Sequence, residues 1–252
     1  MSGKVLITGA SAGLGEGMSR IFAARGADLA IAARRLDRLE ELRDELESRH
    51  PGRKVVPIRM DITDADSVFA AFDQAEAALG GLDRIVVNAG LGKGSRLGSG
   101  RFDANRDTAV TNFVGGIAQC EAAMRVLYRQ GHGQLAVMTS VVAVRGMAGP
   151  MNVYAASKAA LVRLTEGIRS DVAAKKLPIT ITLLRPGYID SEMQSRTGKP
   201  PHRLMVDSDR GCRALVDAIE RGARDVCVPR WPWSAFSLAL RVLPSGIVRR
   251  IV

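Results

Sequence analysis

Lys4-Val-Leu-Ile-Thr-Gly-Ala-Ser-Ala-Gly-Leu-Gly15 is the segment from which the architecture of this chain is best understood. Its first part, residues 4–8, is a short apolar run, and its second part is a loop rich in glycine. Beyond the loop, Met18, Ile21 and Phe22 recur at the spacing of one helix face. The segment therefore predicts a buried strand, a tight turn and a helix in direct succession.

Each glycine of this turn has a separate physical task. Gly9 permits the sharp bend, Gly13 lets backbone amides approach a pyrophosphate, and Gly15 lets the helix pack close to the strand. The helix N-terminus then faces the anion. We therefore predict a dinucleotide site, contacted by the loop residues Gly9, Ser11, Ala12, Gly13, Leu14 and Gly15.

The same alternation of strand and helix continues along the chain. Further strands are predicted at residues 28–33, 54–59, 82–87, 134–139, 179–184 and 226–228. Parallel crossovers between them indicate the α/β class, with a Rossmann-type doubly wound parallel sheet of about seven strands. Helices on both faces complete a three-layer α/β/α arrangement. We expect one domain over residues 1–228, followed by an apolar and basic tail at residues 229–252.

The composition restricts the class of protein. A hydrophobic fraction of 46% with 25% charged residues is typical of a globular domain. Three scattered cysteines and three histidines predict neither a disulfide framework nor a metal site. The first residues lead directly into a strand without an export signal, so we expect a cytoplasmic protein.

The net charge of +10 raises the question of an anionic partner. The sequence contains no nucleic-acid-binding motif, and only 4% of its residues are aromatic. We therefore predict that nucleic acid is not a partner.

The end of the second strand predicts which dinucleotide is bound. A site for NAD usually places a carboxylate there for the ribose hydroxyls, whereas this chain has Ala33 followed by Arg34 and Arg35. Guanidinium groups pair with the oxygens of a 2′-phosphate. The pattern favours NADP(H), with Arg34 as the main contact. Arg35 is either a second contact or a solvent-exposed side chain at the start of the next helix.

Two more strand ends are predicted to border the cofactor, because ligands of such sheets bind beyond the carboxyl ends of the strands. Asp61, with Ile62, follows the third strand and is placed to hold the adenine edge. Asn88, Ala89 and Gly90 follow the fourth strand, where small residues leave room for a cofactor.

Tyr154 and Lys158 are candidates for acid–base chemistry. On a helix opened near Asn152, residues four positions apart lie on one face, so the ammonium stabilises the ionised phenol and lowers its pKa. A tyrosine of that kind can exchange a proton near neutral pH. The alternative is a chance spacing on an ordinary helix.

Taken together, the motifs resemble those of the short-chain dehydrogenase/reductase family over about residues 3 to 228. The matching segments are residues 8–15, Asn88-Ala-Gly90, Asn112, Ser140, Tyr154-Ala-Ala-Ser-Lys158 and Arg185-Pro-Gly187. Their order and spacing carry the resemblance.

The resemblance implies catalytic roles. Tyr154 would be the general acid in ketone reduction and the base in alcohol oxidation, and Lys158 would lower its pKa and hold the nicotinamide ribose. Ser140 would hydrogen-bond the carbonyl oxygen, and Asn112 would anchor a water chain from Lys158.

The resemblance also implies further cofactor contacts. Pro186 and Gly187 would line the nicotinamide, and Ile189 would bind the carboxamide through its backbone. Where the family usually has a threonine, only Ser191 offers a hydroxyl. Residues 192–207 correspond to a mobile substrate lid, and family members are commonly homodimers or homotetramers.

The tail combines apolar and basic residues at helical spacing. The apolar members are Trp231, Trp233, Phe236, Leu240, Leu243, Ile247 and Ile251, and the basic members are Arg230, Arg241, Arg249 and Arg250. This pattern predicts either peripheral contact of residues 230–252 with the inner face of the cell membrane, a subunit interface, or a cover over the substrate cleft.

The sequence as a whole predicts an NADP(H)-dependent carbonyl reductase or secondary-alcohol dehydrogenase acting on a small-molecule substrate that is hydrophobic or lipid-like. The competing interpretation is a catalytically idle NADP-binding regulator or scaffold on the same fold. A sugar-nucleotide epimerase is disfavoured, because 252 residues leave little room for the larger substrate domain of those proteins.

Overall fold

The computed structural model describes residues 3–92, 94–190, 204–244 and 246–248. Within them, one parallel sheet of seven strands has the order β3-β2-β1-β4-β5-β6-β7, which confirms the predicted fold. The strands are β1 (Lys4–Thr8), β2 (Asp28–Ala33), β3 (Val55–Arg59), β4 (Arg84–Val87), β5 (Gly133–Met138), β6 (Ile179–Pro186) and β7 (Asp225–Val228).

Helices cover both faces of the sheet. They are α1 (Gly13–Ala24), α2 (Leu36–Arg49), α3 (Ala65–Leu79), α4 (Phe102–Ala109), α5 (Gly115–Gln130), α6 (Met151–Ala174), α7 (Ser208–Glu220) and α8 (Arg230–Val242). A π-helical turn (Val110–Val114) joins α4 to α5, and a 3₁₀ turn (Val141–Val144) follows β5.

The alternation of side chains along β1 shows why the sheet is buried on both faces. Val5 and Ile7 belong to one apolar core, which includes residues of α1, α2 and α7. Leu6 belongs to the other core, which includes residues of α3 and α5. A parallel sheet covered in this way requires strands that are apolar at every position, as β1 is from Val5 to Ile7.

Strand order reverses between β1 and β4. From β1 the sheet extends to β2 and β3 on one side, and from β4 to β5, β6 and β7 on the other. The loops that follow β1 and β4 therefore diverge and leave a crevice beyond the carboxyl ends of the strands.

The helical segment that runs from Phe102 to Gln130 is interrupted. Its middle widens into the five-residue π-helical turn, which contains Asn112. Turns of this kind are rare inside helices and are frequent at functional sites.

The described part of the tail packs on the sheet. Helix α8 contacts β7 and the 3₁₀ turn, and its side chains Trp233 and Leu240 are completely buried. The Arg145 guanidinium donates a hydrogen bond to the Leu240 carbonyl (3.0 Å) and another to the Leu243 carbonyl. Two hypotheses, that the tail is a separate unit and that it forms a subunit interface, stay predictions.

Membrane-spanning helices and clustered metal ligands are both absent from the described residues. No helix among them is both long and apolar enough to cross a membrane. They also contain no group of three or more His, Cys, Asp or Glu side chains positioned to hold a metal ion.

Candidate active site

The glycine loop after β1 has a backbone that side chains would obstruct. Gly9 and Gly13 have φ angles of 69° and 58°, in the left-handed region that favours glycine. A Cβ atom on Gly9 would lie 2.8 Å from the Ala89 Cα atom, and one on Gly15 would overlap the Gly9 carbonyl oxygen. The loop therefore fits the predicted pyrophosphate site, since its amides and the N-terminus of α1 stay open to an anion.

Thr8 and Asn88 tie together the ends of β1 and β4. The Thr8 hydroxyl accepts hydrogen bonds from the backbone amides of Asn88 (3.0 Å) and Ala89 (3.1 Å). The Asn88 side-chain amide donates to the Thr8 carbonyl at 2.8 Å. The sequence motifs did not assign Thr8 to the site, although a polar residue ending an apolar strand was an available signal.

A cleft of about 320 Å³ lies beyond the ends of β2 and β3. It is lined by Arg34, Arg59, Asp61, Asp64 and Ser67. Arg59 was not predicted as a site residue, yet it ends β3 in register with Ala33, the last residue of β2. Two exposed guanidinium groups on one cleft suit a phosphate dianion.

Arg35 hydrogen-bonds the glycine loop and does not line this cleft. Its guanidinium donates to the Ser11 backbone carbonyl at 3.2 Å and to the Ser11 hydroxyl at 3.3 Å. These bonds connect the start of α2 to the glycine loop. Of the two predicted arginines, only Arg34 lines the cleft.

Asp61 carries a charge that its neighbours stabilise. Its carboxylate accepts hydrogen bonds from the Thr63 amide (2.9 Å) and hydroxyl (2.8 Å). The amide bond is the largest cause that lowers the pKa of Asp61, and Arg34 and Arg59 lower it further. Asp64 caps α3 by accepting from the Asp66 and Ser67 amides.

Three of the four predicted catalytic side chains come together at the end of β5. Ser140 follows β5 directly, and its hydroxyl has a hydrogen-bonding interaction with the Tyr154 phenol that lowers the pKa of the phenol. Lys158, one helical turn beyond Tyr154, is 5% exposed and donates to the Met138 carbonyl at 3.1 Å.

Burial dominates the acidity of this group. It raises the pKa of Tyr154 to about 12, against the effect of Ser140, and the nearby Tyr188 raises it further. It lowers the pKa of Lys158 to about 8. In the structure the hydrogen bond with Ser140 lowers the Tyr154 pKa, and the predicted lowering by Lys158 stays a prediction.

Asn112 is held in the π-helical turn by Leu91. Its side chain accepts from the Leu91 amide at 2.6 Å and donates to the Leu91 carbonyl at 2.8 Å. A Cβ atom on Gly90 would lie 3.1 Å from the Asn112 Oδ1 atom and 3.3 Å from the Lys158 Nζ atom. Asn112 and Lys158 thus both approach Gly90, and the water chain between them stays a prediction.

The exit of β6 brings the tail into the site. A Cβ atom on Gly187 would overlap the Trp233 indole, so only glycine fits there. Pro186 and Ile189 are buried, and Ile189 packs against Gly211 of α7. Ser191 and most of the predicted lid, residues 192–203, lie outside the described residues.

Trp233 also completes an aromatic cluster beside Tyr154. Its ring meets Tyr188 edge-on at 5.4 Å and Phe236 at 5.3 Å. Tyr154 packs against the same apolar cluster. The sequence did not indicate that Trp233 shares an apolar cluster with Tyr154, because no local pattern links positions 79 residues apart.

Comparisons with known proteins agree with this fold. A family model described as short chain dehydrogenase matches residues 3–201. An uncharacterized oxidoreductase of Mycobacterium tuberculosis is 46% identical over 247 residues, which cover 98% of this chain and 96% of that protein. 11-beta-hydroxysteroid dehydrogenase 1A of Arabidopsis thaliana is 35% identical over 246 residues, covering 90% of this chain and 68% of that protein.

A solved structure extends the likeness to three dimensions. The alcohol dehydrogenase from the archaeon Thermococcus sibiricus, solved in complex with 5-hydroxy-NADP, aligns with a TM-score of 0.77 at 29% identity, covering 88% of this chain and 93% of that chain. Fold, site and relatives define an oxidoreductase with a dinucleotide-binding domain. The chain belongs to the short-chain dehydrogenase/reductase family.

Proposed function

We propose that this protein is an NADP(H)-dependent oxidoreductase that interconverts a ketone and a secondary alcohol. The observation that carries the proposal is the placement of Tyr154 beside Ser140, with buried Lys158 one turn further along α6. These side chains lie at the carboxyl end of the sheet, beyond which ligands of such folds bind. NADPH, when bound, supplies the hydride.

The side chains divide the remaining chemistry between them. The Ser140 hydroxyl donates to the carbonyl oxygen and stabilises the negative charge that develops there. Tyr154 transfers its proton to that oxygen in reduction and accepts a proton from the alcohol in oxidation. The Lys158 ammonium stabilises the phenolate that remains, and Asn112 anchors the water chain that restores the proton.

The proposed cofactor contacts follow the carboxyl ends of several strands. The residues that would hold it are Gly9, Ser11, Ala12, Gly13, Leu14, Gly15, Arg34, Arg35, Asp61, Ile62, Asn88, Ala89, Gly90, Tyr154, Lys158, Pro186, Gly187 and Ile189, to which we add Arg59. The choice of NADP(H) is supported by the two arginines of the cleft and by the ligand of the archaeal alcohol dehydrogenase.

Replacing Arg34 tests the choice of cofactor. Arg34→Ala is expected to weaken NADPH binding by about 10- to 100-fold, the effect of losing one or two charge-assisted hydrogen bonds to phosphate, and to leave NADH binding unchanged. Fluorescence titration of both cofactors measures this.

A matched control separates a specific contact from a general loss of charge. Arg38→Ala removes an exposed arginine of the same helix start, which pairs with Glu41, and is expected to leave both affinities unchanged. If the native protein binds NADH as tightly as NADPH, the assignment of the cleft to a 2′-phosphate is wrong.

The substrate is proposed to be apolar. The surroundings of Tyr154 support this, because they are built from apolar and aromatic side chains. The name of the Arabidopsis relative, a hydroxysteroid dehydrogenase, points in the same direction.

We also propose that the protein is a homodimer or homotetramer in the cytoplasm. Val114, the last residue of the π-helical turn, and Ile117 in the first turn of α5 expose apolar side chains. Exposed apolar surface of this kind is common at subunit contacts.

Finally, we propose peripheral contact of the tail with the inner face of the cell membrane. Trp233 and Leu240 are buried, whereas Trp231, Leu238 and Val242 of α8 are exposed. Leu238 and Val242 lie one turn apart and form an apolar ridge. Beside the ridge is a groove of about 490 Å³ lined in part by Arg230 and Arg241. An apolar ridge flanked by arginines suits an anionic lipid surface.

Flotation with liposomes tests this contact. The native protein is expected to float with anionic vesicles. The double variant Leu238→Ser/Val242→Ser is expected not to float with them. Leu97→Ser is the control, because Leu97 is an exposed apolar residue outside the tail, and this variant is expected to float like the native protein. Surface substitutions are preferable to deleting residues 230–252, since deletion also removes buried Trp233. Native protein that floats equally well with neutral vesicles, or not at all, contradicts the proposal.

A further inference from the structure

Trp233 lies where three segments of the active site meet. Its apolar cluster includes Val141 and Met147, which follow Ser140, and Ala155 of α6. Tyr154 packs against this cluster as well. One side chain of the C-terminal helix therefore touches the surroundings of both Ser140 and Tyr154.

The third segment is the exit of β6. The Trp233 indole lies against the backbone of Gly187, in the space that a Cβ atom would take. Its contact with Tyr188 is edge-on, with an angle of 69° between the rings. Gly187 is one of the residues assigned to the nicotinamide, so Trp233 is near both the proposed cofactor and the proton donor.

Arg145 fastens α8 in this position. It belongs to the segment that follows Ser140, and its guanidinium donates to the carbonyls of Leu240 and Leu243 at the C-terminal end of α8. A cation at this end also interacts favourably with the helix dipole. The contact holds the far end of α8 against the segment that delivers Ser140.

We propose that Trp233 forms the wall of the carbonyl pocket next to Tyr154 and limits the size of the ketone that fits, and that Arg145 positions this wall. The inference rests on the proposed reductase function and identifies a specificity-determining residue for it. The substrate class is a ketone with a compact apolar group, because the completely buried indole occupies space that a larger group would need.

Substitution of Trp233 is expected to change size selectivity. Trp233→Ala opens a cavity beside Tyr154, so kcat/KM for a bulky cyclic ketone relative to a compact one is expected to rise about 10-fold or more. Trp233→Phe, which keeps an aromatic ring and is safer for folding, is expected to shift the ratio in the same direction by less. NADPH binding by each variant confirms that it is folded.

The chain contains a matched control in its other tryptophan. Trp231 begins the same helix but is 74% exposed. Trp231→Ala is expected to leave the ratio unchanged. An unchanged ratio in Trp233→Phe and Trp233→Ala, with NADPH binding retained, overturns the proposal.

Arg145 is tested by the same ratio. Arg145→Ala is expected to raise it less than Trp233→Ala does, because the wall is loosened rather than removed. Arg145→Lys retains a donor for the α8 carbonyls and is expected to restore the native ratio in part. A merely structural role would lower stability without moving the ratio.

A binding measurement separates this proposal from the proposed function. In a Trp231→Phe protein, Trp233 is the sole tryptophan. Acetophenone is titrated into the NADP⁺ complex of this variant, and saturable quenching of the Trp233 fluorescence is expected. Saturable quenching without turnover of any ketone supports the wall and overturns the reductase function. Turnover without quenching overturns the wall alone, and the absence of both overturns both.

Discussion

Tyr154→Phe is expected to lower kcat for NADPH-dependent ketone reduction by about 1,000-fold, within the usual contribution of a positioned general acid. The substitution removes only the hydroxyl, so the ring keeps its place in the apolar cluster beside Trp233. NADPH binding is therefore expected to change little. Steady-state kinetics and a fluorescence titration on the same preparation measure the two effects.

Ser140→Ala is the companion to this variant. The Ser140 hydroxyl interacts with the phenol, so its loss is expected to reduce kcat as well. The expected reduction is about 100-fold, which is smaller than that of Tyr154→Phe. Full turnover by the Tyr154→Phe protein contradicts the assigned proton donor. It favours the competing interpretation of an idle NADP-binding regulator.

Lys158→Met is expected to lower kcat/KM by at least about 100-fold and at the same time to stabilise the protein. Burial of the ammonium lowers the Lys158 pKa to about 8, which means that folding disfavours the charged form. A methionine of similar length avoids that cost but leaves the Met138 carbonyl without its donor. The net gain in the free energy of unfolding at pH 7 is expected to be about 1 to 3 kcal/mol.

The pH dependence of this gain has a definite sign. Between about pH 8, the pKa in the folded protein, and 10.5, the ordinary lysine value, the unfolded chain binds more protons than the folded one. The Lys158 contribution to stability therefore increases with pH across this window. The advantage of Lys158→Met over the native protein is expected to shrink as pH rises from 7.5 to about 9.5.

Denaturant unfolding at several pH values measures the free-energy difference between the two proteins. Lys176→Met, at an exposed lysine two residues beyond the end of α6, is the control and is expected to show no such dependence. The prediction assumes that the buried lysine lowers the stability of the folded protein and is retained for its function. This is wrong if the Lys158→Met protein is less stable than the native one at pH 7.

Sequence alone was sufficient for the fold and for naming most of the residues that the structure brings to the carboxyl edge of the sheet. The strand-loop-helix start, the repeated alternation and the polar residues after each strand are local patterns, and each reflects a local requirement. Gly9 and Gly15 are examples. Only glycine fits at these two positions of the turn, and the same two glycines are what identify the motif in the sequence. Boundaries were less certain: β6 continues to Pro186 because β7 pairs with it, which no pattern within β6 indicates.

Tertiary structure decided what depends on contacts between distant residues. Arg59 joins Arg34 because β3 pairs with β2, and the pKa of Tyr154 is governed by burial and Ser140 because packing brings these groups together. The position of Trp233 against Gly187 is of the same kind. Local patterns record the conformation that a segment must adopt, whereas the packing of α8 on the active site depends on the shapes of surfaces that exist only after the sheet has formed.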